Sequence, residues 1–160
     1  MIKLIRCDDR LIHGQCMNMI VQQYDVKEII VVDTTNATNP ILRRIFESAV
    51  PASMNVTLVT AEESKAVIDE FLENEVSAIV LMRSPITALT LFHDNTALKK
   101  NLNIANVDSK AHKYSITKYA YFDDIELDAV KQLDEMGIHI WFNQIPSKAV
   151  IEWADLKKNY

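Results

Sequence analysis

The sequence predicts an open α/β domain with a mostly parallel sheet of about seven strands and helices on both faces, on three observations. Short apolar runs recur along the chain, with longer amphipathic stretches between them. Several runs, EIIVVD and SAIVLM among them, are apolar at successive positions, as a strand covered on both sides requires. With 160 residues and no internal repeat, low-complexity tract or Pro/Gly/Ser-rich linker, the chain is expected to be one domain over residues 1–160.

Each element has its own signal. The expected strands are Ile2–Cys7, Glu28–Asp33, Asn55–Thr60, Ser77–Met82, Leu102–Val107, Tyr119–Phe122 and Ile138–Asn143. Helical periods fill the intervals, beginning with Gln15–Tyr24. Pro40–Val50 opens on a proline behind Asn39, a good cap. Ala61–Glu73 and Pro85–His93 follow the third and fourth strands. Asp124–Met136 stops at Gly137, and Ser147–Lys158 closes the chain. Ligands in such folds sit outside the carboxyl ends of the strands. That singles out Asp8–Gln15, Asp33–Asn39, Thr60–Glu63, Arg83–Ser84 and the segment after Val107.

Composition excludes several function classes. Hydrophobic residues make up 49% and charged residues 24%, which rules out a solvating disordered chain. Lys+Arg is 17 against Asp+Glu 22, so nucleic acid or an anionic membrane surface would need a local basic patch. No nucleic-acid partner is expected. Gly14 and Gly137 are the only glycines, and no glycine-rich nucleotide loop can be written with them. Cys7 and Cys16 read as reduced, packed thiols in a cytosolic protein, since no second pair of ligands accompanies them. No apolar run approaches the roughly 18 to 20 residues that cross a bilayer, and the opening MIKLIRCDDR is not a signal peptide.

The loop after the first strand carries the chemistry. Arg6 to Gln15 packs two aspartates, two arginines, a histidine and one of the two glycines into the best ligand position of the fold. His13 is nucleophilic as neutral imidazole near pH 7 and can take and release a phosphoryl group. Gly14 lets the backbone bend and a bulky anion approach, with the N–H groups of Gln15 and its successors behind it at a helix N-terminus. Arg10 offers a planar fork for phosphate oxygens. Asp8 or Asp9 orients the imidazole or pins Arg10, and the residues leave open which. A plainer reading stands beside this one, with aspartates that only cap a turn and a loop histidine without chemistry.

Asp8-Asp9-Arg10-Leu11-Ile12-His13-Gly14-Gln15 resembles the signature D-D-R-L-I-H-G-Q. That signature opens the IIB subunits of the mannose/fructose/sorbose family of the phosphoenolpyruvate-dependent sugar phosphotransferase system (PTS). Glu28–Asp33, Arg83-Ser84-Pro85 with Ala88-Leu89, and the stretch from Asp123 through Ile145-Pro146 to Trp153 resemble other parts of the family, so the resemblance covers nearly the whole chain. It implies an open sheet whose last strand is antiparallel. It implies that His13 is transiently phosphorylated by a phosphohistidine of a IIA protein and passes the group to a sugar held by membrane IIC/IID subunits. The domain would be cytoplasmic, tied to the membrane only through IIC/IID, with no cofactor and no metal. Arg10, Gly14, Gln15, Asp9 and, at the fourth strand's end, Ser84 would support the phosphoryl group. The chain departs from the family at Ala105-Asn106, where a glycine pair is common. It departs again at Met17-Asn18-Met19-Ile20, where the family's helix usually carries a tryptophan.

Other residues receive other expectations. Lys110-Ala111-His112-Lys113 with Lys118 is the most basic stretch, expected as a solvated loop, with docking of an acidic partner as its functional reading. His139 is expected to be packed in its strand, His93 to sit without chemistry at a helix end, and Trp141 and Trp153 to be core. A competing function is a regulatory domain of the same shape, phosphorylated as a signal without serving a sugar. A response-regulator receiver is disfavoured, because the third strand ends Leu58-Val59-Thr60-Ala61 without the aspartate that class needs. The sugar is not legible, and oligomeric state, homo-oligomers included, is left open.

Overall fold

A computed structural model describes residues 1–14 and 16–160. Its main sheet has seven strands in the order β10-β9-β5-β1-β4-β2-β3. They are β1 (Ile2–Cys7), β2 (Glu28–Val32), β3 (Asn55–Val59), β4 (Ala78–Met82), β5 (Asn101–Ile104), β9 (His139–Phe142) and β10 (Ile151–Glu152). All neighbours run parallel except β9 and β10, which pair antiparallel. The buried strands β2 and β4 are the continuous apolar runs of the sequence, and β1 lies between β4 and β5.

Alternate residues of each strand feed two cores. Cys7, Val80, Met82, Ile104 and Phe142 pack beneath α4 (Ser64–Glu73), α5 (Pro85–Asp94) and α6 (Asp124–Glu135). Leu4, Ile29, Val31, Ile79 and Leu81 pack with Leu11, Ile20 and residues of α2 (Thr34–Thr38) and α3 (Pro40–Ser48) on the other face. The expected stops and starts are built as the chemistry demands. Asn39 accepts from the N–H groups of Ile41 and Leu42 ahead of Pro40. Asp123 and Glu126 form a capping box at the start of α6. Gly137, at φ 78°, closes α6 with Ile138 N–H donating to Leu133 O at 3.0 Å.

Five local expectations are corrected. Tyr119–Phe122 does pair as a strand, β8 (Ala120–Phe122), but in a separate three-stranded sheet between β6 (Val107–Asp108) and β7 (Tyr114–Ser115). The fifth run accordingly breaks at Ala105-Asn106, with β5 in one sheet and β6 in the other. The closing helix is also shorter than expected. Ile151–Glu152 extends to pair with β9, and only Trp153–Leu156, α7, is α-helical before a 3-10 turn. His139 is not packed. It is exposed at the start of β9, 2.7 Å from Glu152 and 3.1 Å from Asn101. Trp153 is core as expected, stacked on Tyr160, whereas Trp141 is half-buried on the other face. Among the described residues no helix is long and apolar enough to cross a membrane.

Candidate functional site

Asp8 follows β1 directly, and its backbone N–H donates to Met82 O at 2.8 Å, so the strand's end places it at the sheet's carboxyl edge. Its side chain is fully buried and gathers three cationic or ring partners. Arg6 Nη2 lies 2.9 Å from Oδ2, Arg10 binds both oxygens at 2.9 and 3.0 Å, and His13 Nε2 lies 3.1 Å from Oδ2. Burial alone would push this carboxyl up. Hydrogen bonds from His13 and Arg10 and the charges of Arg6 and Arg10 outweigh it and hold the carboxyl well below the usual aspartate range. The choice between two aspartates that the residues left open therefore falls on Asp8.

Asp9 faces elsewhere. Its carboxylate accepts from Asn106 Nδ2 at 3.0 Å and its N–H donates to Asn106 O at 2.8 Å. Arg83, at the end of β4, donates to the Asp9 carbonyl and binds Asp33 at 2.7 Å, linking the loops after β1, β2 and β4. Asp9 is thus an anchor of the loop and does not reach the imidazole.

Arg6 is the residue the sequence reading passed over as a functional group. It is 1% exposed, and it donates to Asn103 Oδ1 at 2.6 Å and to the Asn143 and Gln144 carbonyls at 3.2 and 2.8 Å. The signal was present in the chain. A charge inside an apolar strand needs a buried partner, and Asp8, two residues on in extended backbone, lies on the same side.

The turn itself is held against strain. Leu11 N–H donates to Asp8 O at 2.9 Å, and Leu11 sits at φ 53°, a left-handed conformation costing a non-glycine about 1 to 3 kcal/mol. Its fully buried side chain, packed with Leu4 and Ile20, keeps it there. Gly14, by contrast, has no positive φ, and a Cβ added to it would meet nothing within 4 Å. The loop's bend therefore belongs to Leu11, and Gly14 contributes open space beside His13. Gly14→Ala is expected to leave stability within about 0.5 kcal/mol of wild type in chemical denaturation; a larger loss would restore a backbone role to the glycine. Past Gly14 the chain enters a helix that is π-helical over Cys16–Ile20 and α-helical over Val21–Gln23, α1. Gln15 lies outside the described residues.

Ser84 caps α5 without a side-chain hydrogen bond to the helix, half-buried at the end of β4. His13 is 17% exposed at its side chain and Arg10 35%. In the basic stretch, His112 Nε2 lies 2.6 Å from Asp108 and Lys113 pairs with Asp124 at 2.6 Å, so both side chains already have an acidic partner within the chain. His93 is exposed at the end of α5. The Cys7 thiol is fully buried, and burial pushes its pKa up, so it is not a nucleophile.

A buried carboxylate presenting an imidazole and an arginine at the carboxyl edge of a parallel sheet is an arrangement suited to handling an anion. Comparison with known proteins places the chain: residues 2–160 match the family model for the PTS system sorbose subfamily IIB component. The chain belongs to that family. The fructose-specific EIIB component of Bacillus subtilis (strain 168) is 23% identical over 158 residues, covering 99% of this chain and 96% of the relative. The sorbose-specific EIIB component of Klebsiella pneumoniae is 25% identical over 154 residues, covering 96% and 93%. In structure, the IIBSor domain of the sorbose permease from Klebsiella pneumoniae superposes with a TM-score of 0.88 at 24% identity, covering 99% of this chain and 96% of that one. The IIB fold is thus present from end to end, with its antiparallel last strand supplied by β10.

Proposed function

We propose that this IIB component carries a phosphoryl group from a phosphohistidine of a IIA protein, on His13, to a sugar held by membrane IIC/IID subunits. It would work on the cytoplasmic side and meet the membrane only through those subunits. The observation that supports this most is the 3.1 Å contact between His13 Nε2 and the buried Asp8 carboxylate. An ionised carboxylate accepts and does not donate, so it holds the ring with its proton on Nε2 and the lone pair on Nδ1. That lone pair attacks the phosphorus of the donor. The donor's N–P bond breaks, and its electron pair returns to the donor imidazole. His13 then carries the phosphoryl group as an imidazolium, with Nε2–H still on Asp8, whose charge stabilises it. In the second step a sugar hydroxyl attacks the phosphorus and releases its proton to water. The His13 N–P bond breaks, and the ring leaves as neutral imidazole.

The remaining residues position and neutralise. Arg10, fixed by two bonds to Asp8 and partly open to solvent, would meet the phosphoryl oxygens. Gly14 leaves room for them, Gln15 N–H and the Ser84 hydroxyl would donate to them, and Asp9 keeps the loop in place through Asn106. Arg10→Lys keeps the charge and loses the planar fork, so transfer is expected to slow about tenfold or more in rapid-quench assays. An unchanged rate would give Arg10 a purely structural part.

The test of the whole reading is a chase. Phosphorylated protein, mixed with membranes carrying the matching IIC/IID subunits and sugar, is expected to lose its phosphate to the sugar. Phosphate that stays on the protein would favour the signalling domain instead. The bound phosphate should also be acid-labile and base-stable; base lability would point to a carboxylate.

A further inference from the structure

We infer that Asn106 is a positioning residue for the His13 centre, because its side chain closes a hydrogen-bonded ring that holds Asp8 and Asp9; this rests on the carrier reading above. The ring can be followed atom by atom. Asn106 Nδ2 donates to Asp9 Oδ1 at 3.0 Å, and Gln144 Nε2 donates to Asn106 Oδ1 at 3.2 Å. Gln144 O accepts from Arg6 Nη2 at 2.8 Å, and the same nitrogen lies 2.9 Å from Asp8 Oδ2. Asp8 and Asp9 are joined by the peptide bond, and the circuit is complete.

The chemistry at each step is directional. Asp9 offers only acceptors, Gln144 Nε2 only donors, and a carboxamide at position 106 supplies both partners at once. Alanine supplies neither. Aspartate would set a second carboxylate against Asp9, in a corner that Glu126 already makes acidic: burial first, then the charges of Asp123 and Asp9, push the Glu126 carboxyl up. The ring also adds to the side-chain bonds that Arg6 and Asn103 make between the same elements. It ties the loop after β1 to the turn after β5 and to the segment after β9, and Asp8 in turn orients His13.

The backbone contacts of this corner do not depend on the Asn106 side chain. Asp9 N–H to Asn106 O, Ala105 N–H to Cys7 O and Asn143 N–H to Ile104 O all survive its truncation. Removing the carboxamide therefore releases the Asp9 carboxylate, while the Asp9 N–H stays on Asn106 O and Arg83 still holds its carbonyl. The loop keeps its backbone ties and loses the side-chain one that closed the ring, so Asp8 and Asp9 can shift and the imidazole loses its single fixed orientation.

Wild type, Asn106→Ala, Gln144→Ala and the double variant decide the matter with a phosphorylated IIA protein as donor. Asn106→Ala is expected to lower the rate at saturating donor about tenfold with the half-saturating donor concentration unchanged, as misorientation of a reacting group does. A ring opened once is open, so the double variant should be no slower than Asn106→Ala. The ¹⁵N spectrum of His13 should show one Nε2-protonated tautomer in wild type and a mixture in Asn106→Ala. A rate within about twofold of wild type, losses that multiply in the double variant, or an unchanged tautomer would each overturn the inference. If wild type takes no phosphate at all, the carrier reading fails, and the tautomer spectrum alone then decides the role of Asn106.

Discussion

Asp8→Ala is expected to destabilise the fold by about 3 to 5 kcal/mol, the cost of stranding a buried charge. Arg6 is 1% exposed, and Asp8 supplies its only anionic partner among the described residues. Without it the guanidinium keeps three neutral acceptors, Asn103 Oδ1 and the carbonyls of Asn143 and Gln144, and no counter-charge. Denaturant melts should show the loss as a lower midpoint at unchanged slope. Asp8→Asn keeps the size and one acceptor and should fall between the two. The pH dependence has a definite sign. The folded carboxyl sits well below the ordinary aspartate pKa of about 3.9. Its stabilisation is therefore complete above that pH and drains away as pH falls toward the folded value. The stability gap between wild type and Asp8→Asn should accordingly be constant near neutrality and narrow below about pH 4. A gap that stays constant through acid would show that folding does not lower the Asp8 pKa.

His13→Ala is expected to do the opposite, removing function and sparing structure. The imidazole is partly exposed on a loop, and Asp8 keeps its bonds to Arg6 and Arg10 when the ring is gone. Stability should change by no more than about 1 kcal/mol, the usual worth of one hydrogen bond. Phosphoryl uptake should fall to background, because among the described residues the other candidate nucleophiles are closed off: Cys7 is fully buried with its pKa raised, and Asp8 is engaged by three partners. Thermal melting of the variant should overlay that of wild type while uptake is lost.

Much of the fold was legible because the strands that matter are continuous apolar runs or carry strong caps. EIIVV and AIVLM could be little else than buried parallel strands, and Asn39-Pro40 and Gly137 mark helix ends by local chemistry. What was illegible is what long-range pairing decides. Alternation in Tyr119–Phe122 identifies a strand but not which sheet receives it. Ile151-Glu152 is too short to advertise itself as β10, and an amphipathic stretch ahead of Trp153 reads equally well as the start of a helix.

The site divides in the same way. Residue types around His13 announced anion chemistry, and the position after β1 announced the location. Which aspartate serves the histidine could not be read, since Asp8 and Asp9 are adjacent and chemically identical. Tertiary partners separate them, Arg6 on one and Asn106 on the other. Gly14 shows the reverse error. A glycine in a turn suggests a special backbone, yet the left-handed residue is Leu11, whose packing holds the conformation.

The most direct test is intact-mass spectrometry of wild type and His13→Ala after incubation with phosphoenolpyruvate, the two general phosphotransfer proteins and a IIA protein of the same family. One phosphoryl group on wild type and none on the variant is the predicted result. A phosphoryl group on the variant, or none on wild type beside fully charged IIA partners from across the family, would contradict the account.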